Sequence, residues 1–160
     1  MGKTLVAYFS ATGTTERLAR ALAEVAGADL HGIEPAQPYT SSDLNWHDAR
    51  SRSSVEMNDP ASRPAIANKV ADMGCYDTVF VGFPIWWYVA PTIINTFLEA
   101  YDFSGKTVIP FATSGGSGMG KTDAVLRKCC APDTRWKPGR CFYGGADAAA
   151  LRAWVEGLGL

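Results

Sequence analysis

Several things are scarce in this sequence, and each scarcity removes a class of protein. Four cysteines in 160 residues, with no Cys-x-x-Cys pair, provide no disulfide framework. Neither sign of charge dominates, since 15 Lys and Arg stand against 16 Asp and Glu for a formal net charge of −1. A broad electrostatic nucleic-acid binder shows a basic domain, and none is present. A strongly acidic surface is missing as well. Before Ser10 the chain offers only about five apolar residues in a row, too few for a signal-peptide core, so a cytoplasmic protein is expected. There is no internal repeat, no low-complexity segment and no domain linker.

A long hydrophobic span is also missing, although one segment approaches it. Thr78 to Leu98 is 21 residues without a formal charge, 14 of them apolar. A membrane-spanning helix needs ~20 apolar residues. Pro84 and Pro91 cut this run, and Gly82 and Asn95 weaken it. It reads as a buried strand, a loop and a helix start, with no membrane partner.

What remains is an ordinary globular composition, 47% hydrophobic and 19% charged. The length suits one domain over residues 1–160. A chain of this size buries roughly 70% of its unfolded surface.

Apolar runs at Thr4–Phe9, Asp29–Ile33, Thr78–Phe83 and Lys106–Ala112 read as strands, with a weaker fifth at Arg140–Tyr143. Between them, Leu18, Leu22 and Val25 share one helical face, as do Ile94, Leu98 and Tyr101. Ile66, Val70 and Met73 predict a helix ending near Gly74. A helix is expected from about Thr122 to Cys129, and Asp147 caps a last one. Pro35 to Pro64 shows no period and reads as an irregular insertion, far longer than the usual loop of about 4–6 residues. It carries Tyr39, Trp46 and His47. Alternating strands and helices predict an α/β fold of three layers, a five-stranded, doubly wound parallel sheet covered on both faces.

In such sheets ligands bind beyond the carboxyl ends of the strands. Three loops lie there. Ser10-Ala11-Thr12-Gly13-Thr14-Thr15 combines four hydroxyls, one glycine and no charge, opening on a helix N-terminus. Hydroxyls and backbone N–H groups can hold a phosphate there by hydrogen bonds alone, although Ser and Thr also serve as plain helix caps. Pro84-Ile85-Trp86-Trp87-Tyr88 places three large rings at a strand exit, suited to stacking on a flat heteroaromatic ligand, with at least one ring expected in the core. Thr113-Ser114-Gly115-Gly116-Ser117-Gly118 exposes backbone groups to a ligand edge.

Two other motifs suggest different chemistry. Gly115 to Thr122 matches G-x-x-x-x-G-K-[ST] after a strand, the pattern of a P-loop nucleotide-binding protein. Its Mg²⁺ would need an acid at another strand end, but strands one and three end in Phe9-Ser10 and Phe83-Pro84. Cys129 and Arg135 have the spacing of a phosphatase loop, with Asp133 inside the cradle where it would repel phosphate. No metal site is expected.

The segment Tyr8 to Thr15 resembles the phosphate loop of the flavodoxin family. Gly82 to Leu98, Ser104-Gly105-Lys106, the Thr113 to Gly118 loop, Gly144-Gly145 and the closing helix resemble the same family in the same order. The resemblance implies strand order 2-1-3-4-5 and non-covalent FMN, with Ser10 to Thr15 on the phosphate. Pro84 to Tyr88 and Thr113 to Gly118 would flank the ring. It implies redox partner proteins, a reductase and an acceptor, with electron transfer between them. The alternative is an NAD(P)H-dependent reductase of quinones, flavins or a similar small-molecule acceptor. No Lys or Arg lies in the three loops, which predicts a lowered flavin potential. In one respect the chain departs from the family: electron-carrying flavodoxins are typically strongly acidic, and this chain is nearly neutral.

Overall fold

The computed structural model describes residues 2–160 except 115, 117 and 144–146. Its centre is a parallel sheet whose strands are apolar because both of their faces are covered. The sheet is built from β1 (Lys3–Tyr8), β2 (Asp29–Gly32), β3 (Tyr76–Pro84), β4 (Thr107–Ser114), β5 (Arg135–Trp136) and β6 (Arg140–Tyr143). Their order is β2-β1-β3-β4, followed by β5 and β6, which both pair with β4. The order 2-1-3-4-5 therefore holds, with the fifth position shared by two short segments. β5 lies beside Thr107 and Val108, and β6 lies beside Phe111 to Ser114.

Alternation along the strands creates two cores. Val6, Phe80, Ile109 and Phe111 pack with Leu18 and Leu22 of α1 (Thr14–Ala26) and Leu151 of α5 (Ala148–Gly157). Leu5, Val79, Val81 and Phe83 face the other way, with Ile93, Ile94 and Phe97 of α3 (Thr92–Glu99) and Leu126 of α4 (Thr122–Arg127). Gly82 is required where β3 passes β4, because a Cβ there would run into the Phe111 ring. Among the described residues no helix is long and apolar enough to cross a membrane.

Two expectations need correction. No helix forms over Ile66 to Met73, where the chain is irregular up to a 3₁₀ turn at Met73–Cys75. Ile66 bridges Pro35, the Asn68 amide binds the Gly32 carbonyl and the Glu34 N–H, and the Val70 N–H donates to the Tyr101 hydroxyl. Within the segment the Ala67 N–H donates to the Glu34 carbonyl and the Val70 N–H to the Tyr101 hydroxyl, so partners outside it take donors that a helix would have used. The apolar residues still reach the core, as the spacing requires.

The insertion also contains a helix, α2 (Arg52–Met57). Ser51 caps it by accepting from the Ser54 N–H, and Arg52 pairs with Glu56 four residues on. Arg63 anchors the far end of the insertion through two bonds to Glu99 of α3, 2.8 and 3.1 Å long.

Candidate functional site

The order of strands reverses between β1 and β3, and their carboxyl ends open on a cavity of about 580 Å³. Twelve of the predicted site residues line it. They are Ala11, Thr12, Thr14 and Thr15 from the first loop, Pro84 to Tyr88 from the second, and Thr113, Ser114 and Gly116 from the third. Ser10, Gly13 and Gly118 stand outside the lining, and Gly115 lies outside the described residues. The Ser10 Oγ accepts from the Gly13 N–H at 3.0 Å, which shapes the first loop. Gly118 lies beside the Tyr143 hydroxyl.

The first loop delivers the start of α1 to the cavity. Gly13 occupies the N-cap position in the left-handed region, φ 95°, and no side chain caps the helix. A helix start without a side-chain cap keeps N–H donors available to an anion. The Thr15 hydroxyl is already engaged. It shares a buried 2.8 Å hydrogen bond with the Thr113 hydroxyl, tying the first loop to the third. The second loop joins the third as well, with the Ile85 N–H donating to the Thr113 carbonyl at 2.9 Å.

The second loop is a miniature hairpin. Trp86 and Val89 exchange backbone hydrogen bonds of 2.9 and 3.2 Å, leaving Trp87 and Tyr88 at the tip. Both have positive φ, 49° and 67°. That is the signature of a type I′ turn, a position favoured by Asn-Gly. Two bulky residues there cost about 1–2 kcal/mol each. Trp87 and Tyr88 are 43% and 69% exposed, so burial does little to offset the strain. Trp86 behaves differently: it is half-buried and packs edge-on against Phe9 and Tyr39. One of the three rings thus joins the core, and the other two stand at the cavity mouth.

Three further lining residues come from the insertion: Trp46, one of the rings noted in that segment, and Leu44 and Ser53, which the sequence did not single out. The sequence places Trp46 in the insertion but carries no signal of where that segment folds. Trp46 is 66% exposed and stacks on His47, centroids 3.7 Å apart.

None of the described lining residues carries a formal charge. An anionic ligand must therefore be held by N–H groups and hydroxyls, and a flat apolar ligand by the rings. The cavity's volume falls within the usual ligand-site range of about 300–1,000 Å³. The two other motifs have contacts of their own. Thr122 is fully buried, and its hydroxyl donates to the Met119 carbonyl at 2.5 Å. Its hydroxyl proton is thus already engaged within the chain. Burial first, then the Glu99 carboxylate, raises the pKa of Cys129, and burial raises that of Cys130 to about 12. Both thiols stay protonated and are poor nucleophiles.

A candidate flavoprotein from Bacteroides eggerthii is 56% identical, with a TM-score of 0.93 over 100% of this chain and 99% of that one. A second, from Bacteroides uniformis, is 51% identical, with a TM-score of 0.91 over 97% and 98%. A flavoprotein from Lactobacillus acidophilus in complex with FMN shares the fold at 20% identity, with a TM-score of 0.72 over 100% of both chains. No curated protein matches the sequence. The family model described as Flavodoxin matches residues 3–158. Matched over nearly its whole length, the chain belongs to the flavodoxin family.

Proposed function

We propose that the cavity holds FMN non-covalently and that the protein transfers electrons between a reductase and an acceptor. The carrying observation is an uncharged cavity at the β1–β3 switch point, with an uncapped helix start in one wall and an aromatic turn in another. The start of α1 and the hydroxyls of Thr12 and Thr14 suit the phosphate. Pro84 to Tyr88, with Thr113, Ser114 and Gly116, suit the ring. Bound there, FMN supplies the one- and two-electron chemistry. The chain's own part is to orient the ring, shield it from water and surround it with neutral groups. A neutral lining gives no support to a negative charge on the reduced ring, which lowers the potential. The Lactobacillus acidophilus protein with the same fold binds FMN, which supports this choice of cofactor.

A second reading is a nicotinamide-dependent reductase of small acceptors. Leu44, Trp46 and Ser53 favour it, because a wall from the insertion suits a small molecule better than a docking protein. Titration of the apoprotein with FMN should quench flavin fluorescence at one equivalent, and no quenching would remove both readings. Potentiometry should find bound FMN more reducing than free FMN. NADPH or NADH with a quinone and no added reductase then separates the two: slow oxidation supports the carrier, rapid oxidation the reductase.

A further inference from the structure

Tyr39 is not among the cavity-lining residues, yet three parts of the site converge on it. Its ring meets Phe9 (centroids 5.5 Å, 61°) and Trp86 (5.5 Å, 75°), and Phe9 meets Trp86 (5.8 Å, 88°). The three tilted rings close a triangle. Phe9 leads directly into the Ser10–Thr15 loop, and Trp86 lines the cavity.

The Tyr39 hydroxyl points the other way, into the insertion. It donates to Glu56 Oε1 at 2.5 Å, the short distance of a hydroxyl on a carboxylate. The Arg52 Nε donates to the second Glu56 oxygen at 2.9 Å, and the guanidinium lies 3.9 Å over the Tyr39 ring. Arg52 also donates to the Gln37 carbonyl at 2.6 Å. The same helix carries Ser53, a lining residue whose N–H donates to the Asp43 carbonyl at 2.9 Å. Asp43 in turn precedes Leu44 and Trp46. Packing alone would need only the Tyr39 ring. A hydroxyl tied to α2 also fixes the tilt of that ring, and with it the ring it touches. Burial first, and then Glu56, raises the pKa of Tyr39, so the hydroxyl stays a donor at ordinary pH.

We infer that Tyr39 is a positioning residue for the cavity: through it, α2 sets the orientation of Trp86 and holds the insertion as a wall of the cofactor site. This rests on the FMN reading above. It is tested with Tyr39→Phe, which keeps the ring and removes the tether, and Glu56→Gln, which keeps an acceptor for the hydroxyl. Tyr76→Phe is the control: it removes a 2.8 Å bond to Asp29 on a residue outside the cavity lining.

Tyr39→Phe should weaken FMN binding about fivefold, about 1 kcal/mol, and shrink the near-ultraviolet circular dichroism of the apoprotein. In a Trp86→Phe background the second effect should shrink to the loss of the Tyr39 chromophore itself. Tyr76→Phe should stay within about twofold of wild type, and Glu56→Gln, which keeps the acceptor but gives up the charge facing Arg52, should lose less than Tyr39→Phe. Wild-type FMN affinity and dichroism in Tyr39→Phe overturn the inference, and so does an equal loss of FMN affinity in Tyr76→Phe. If the wild-type protein binds no FMN, the functional reading fails, and the dichroism of the apoprotein still decides whether Tyr39 orients Trp86.

Discussion

Replacing Gly120 with alanine should damage the fold and the cavity together, and the size of the damage can be worked out in advance. Gly120 has φ 56°, and a Cβ there would collide with the Tyr88 carbonyl oxygen while lying 3.3 Å from the Tyr88 Cβ. Gly105 is the natural control, because its φ is 73° but nothing lies within 4 Å of an added Cβ. A non-glycine residue in the left-handed region costs about 1–2 kcal/mol, and the stiffer unfolded chain returns about 0.4–1 kcal/mol. Gly105→Ala should therefore cost about 1 kcal/mol or less. Gly120→Ala adds an overpacking penalty of about 1–3 kcal/mol, for a total of about 2–4 kcal/mol. In a domain of this size the melting temperature should fall by roughly 5–15 °C for Gly120→Ala and by about 3 °C for Gly105→Ala. Thermal and urea unfolding of the apoprotein measure both. Tyr88 lines the cavity, so Gly120→Ala should also weaken FMN binding about tenfold, while Gly105→Ala leaves it unchanged. Equal stabilities for the two variants, within about 0.5 kcal/mol, would refute a rigid contact between the two turns. Wild-type FMN affinity in Gly120→Ala would refute a holding role for the Trp87–Tyr88 tip.

Two further outcomes are expected. Thr15→Val leaves the buried Thr113 hydroxyl without its 2.8 Å partner and should cost about 1–3 kcal/mol in urea unfolding, while adding Thr113→Val should cost less than the sum of the singles. His31 is half-buried beside Phe97, and its Nε2 has no partner among the described residues. Burial lowers its pKa against the opposing pull of Glu34. The folded state therefore takes up the proton less readily than the unfolded one. Stability is full above the unfolded value of about 6.5 and falls as pH drops toward the lowered folded value, by at most about 1.4 kcal/mol per pH unit. His31→Phe should flatten the melting temperature between pH 7 and 5, and an unchanged slope would show that His31 is not the titrating group.

The sheet was legible in the sequence because its strands are covered on both faces. Val6, Phe80 and Ile109 face one helical layer while Leu5, Val79 and Val108 face the other, so each strand reads as an unbroken apolar run. The strand-end loops were legible for the same reason, since topology alone places them at one rim. Ile66, Val70 and Met73 misled because burial imposes a spacing without dictating how the backbone bonds are satisfied, and the Glu34 carbonyl and the Tyr101 hydroxyl satisfied those of Ala67 and Val70. α2 was missed because it has no apolar stripe. Its Val55 is 56% exposed, and the helix stands on the Ser51 cap and the Arg52–Glu56 pair. The wall formed by Leu44, Trp46 and Ser53 depends on Tyr39 reaching a core ring far along the chain, a contact that no local pattern encodes.

The neck of the insertion has a consequence for how this protein can diverge. The Ala36 N–H donates to the Ala65 carbonyl at 2.8 Å, and the Ala67 N–H donates to the Glu34 carbonyl at 2.7 Å. The chain leaves the sheet and returns to it at nearly the same point. With its ends already held, doubling the length between them would cost only about 0.6 kcal/mol in closure entropy. Changes of length within the segment are thus cheap for the sheet. Descendants of this chain, or an engineer, can rewrite one side of the cavity without disturbing a strand, so long as Tyr39 keeps its contacts with Phe9 and Trp86.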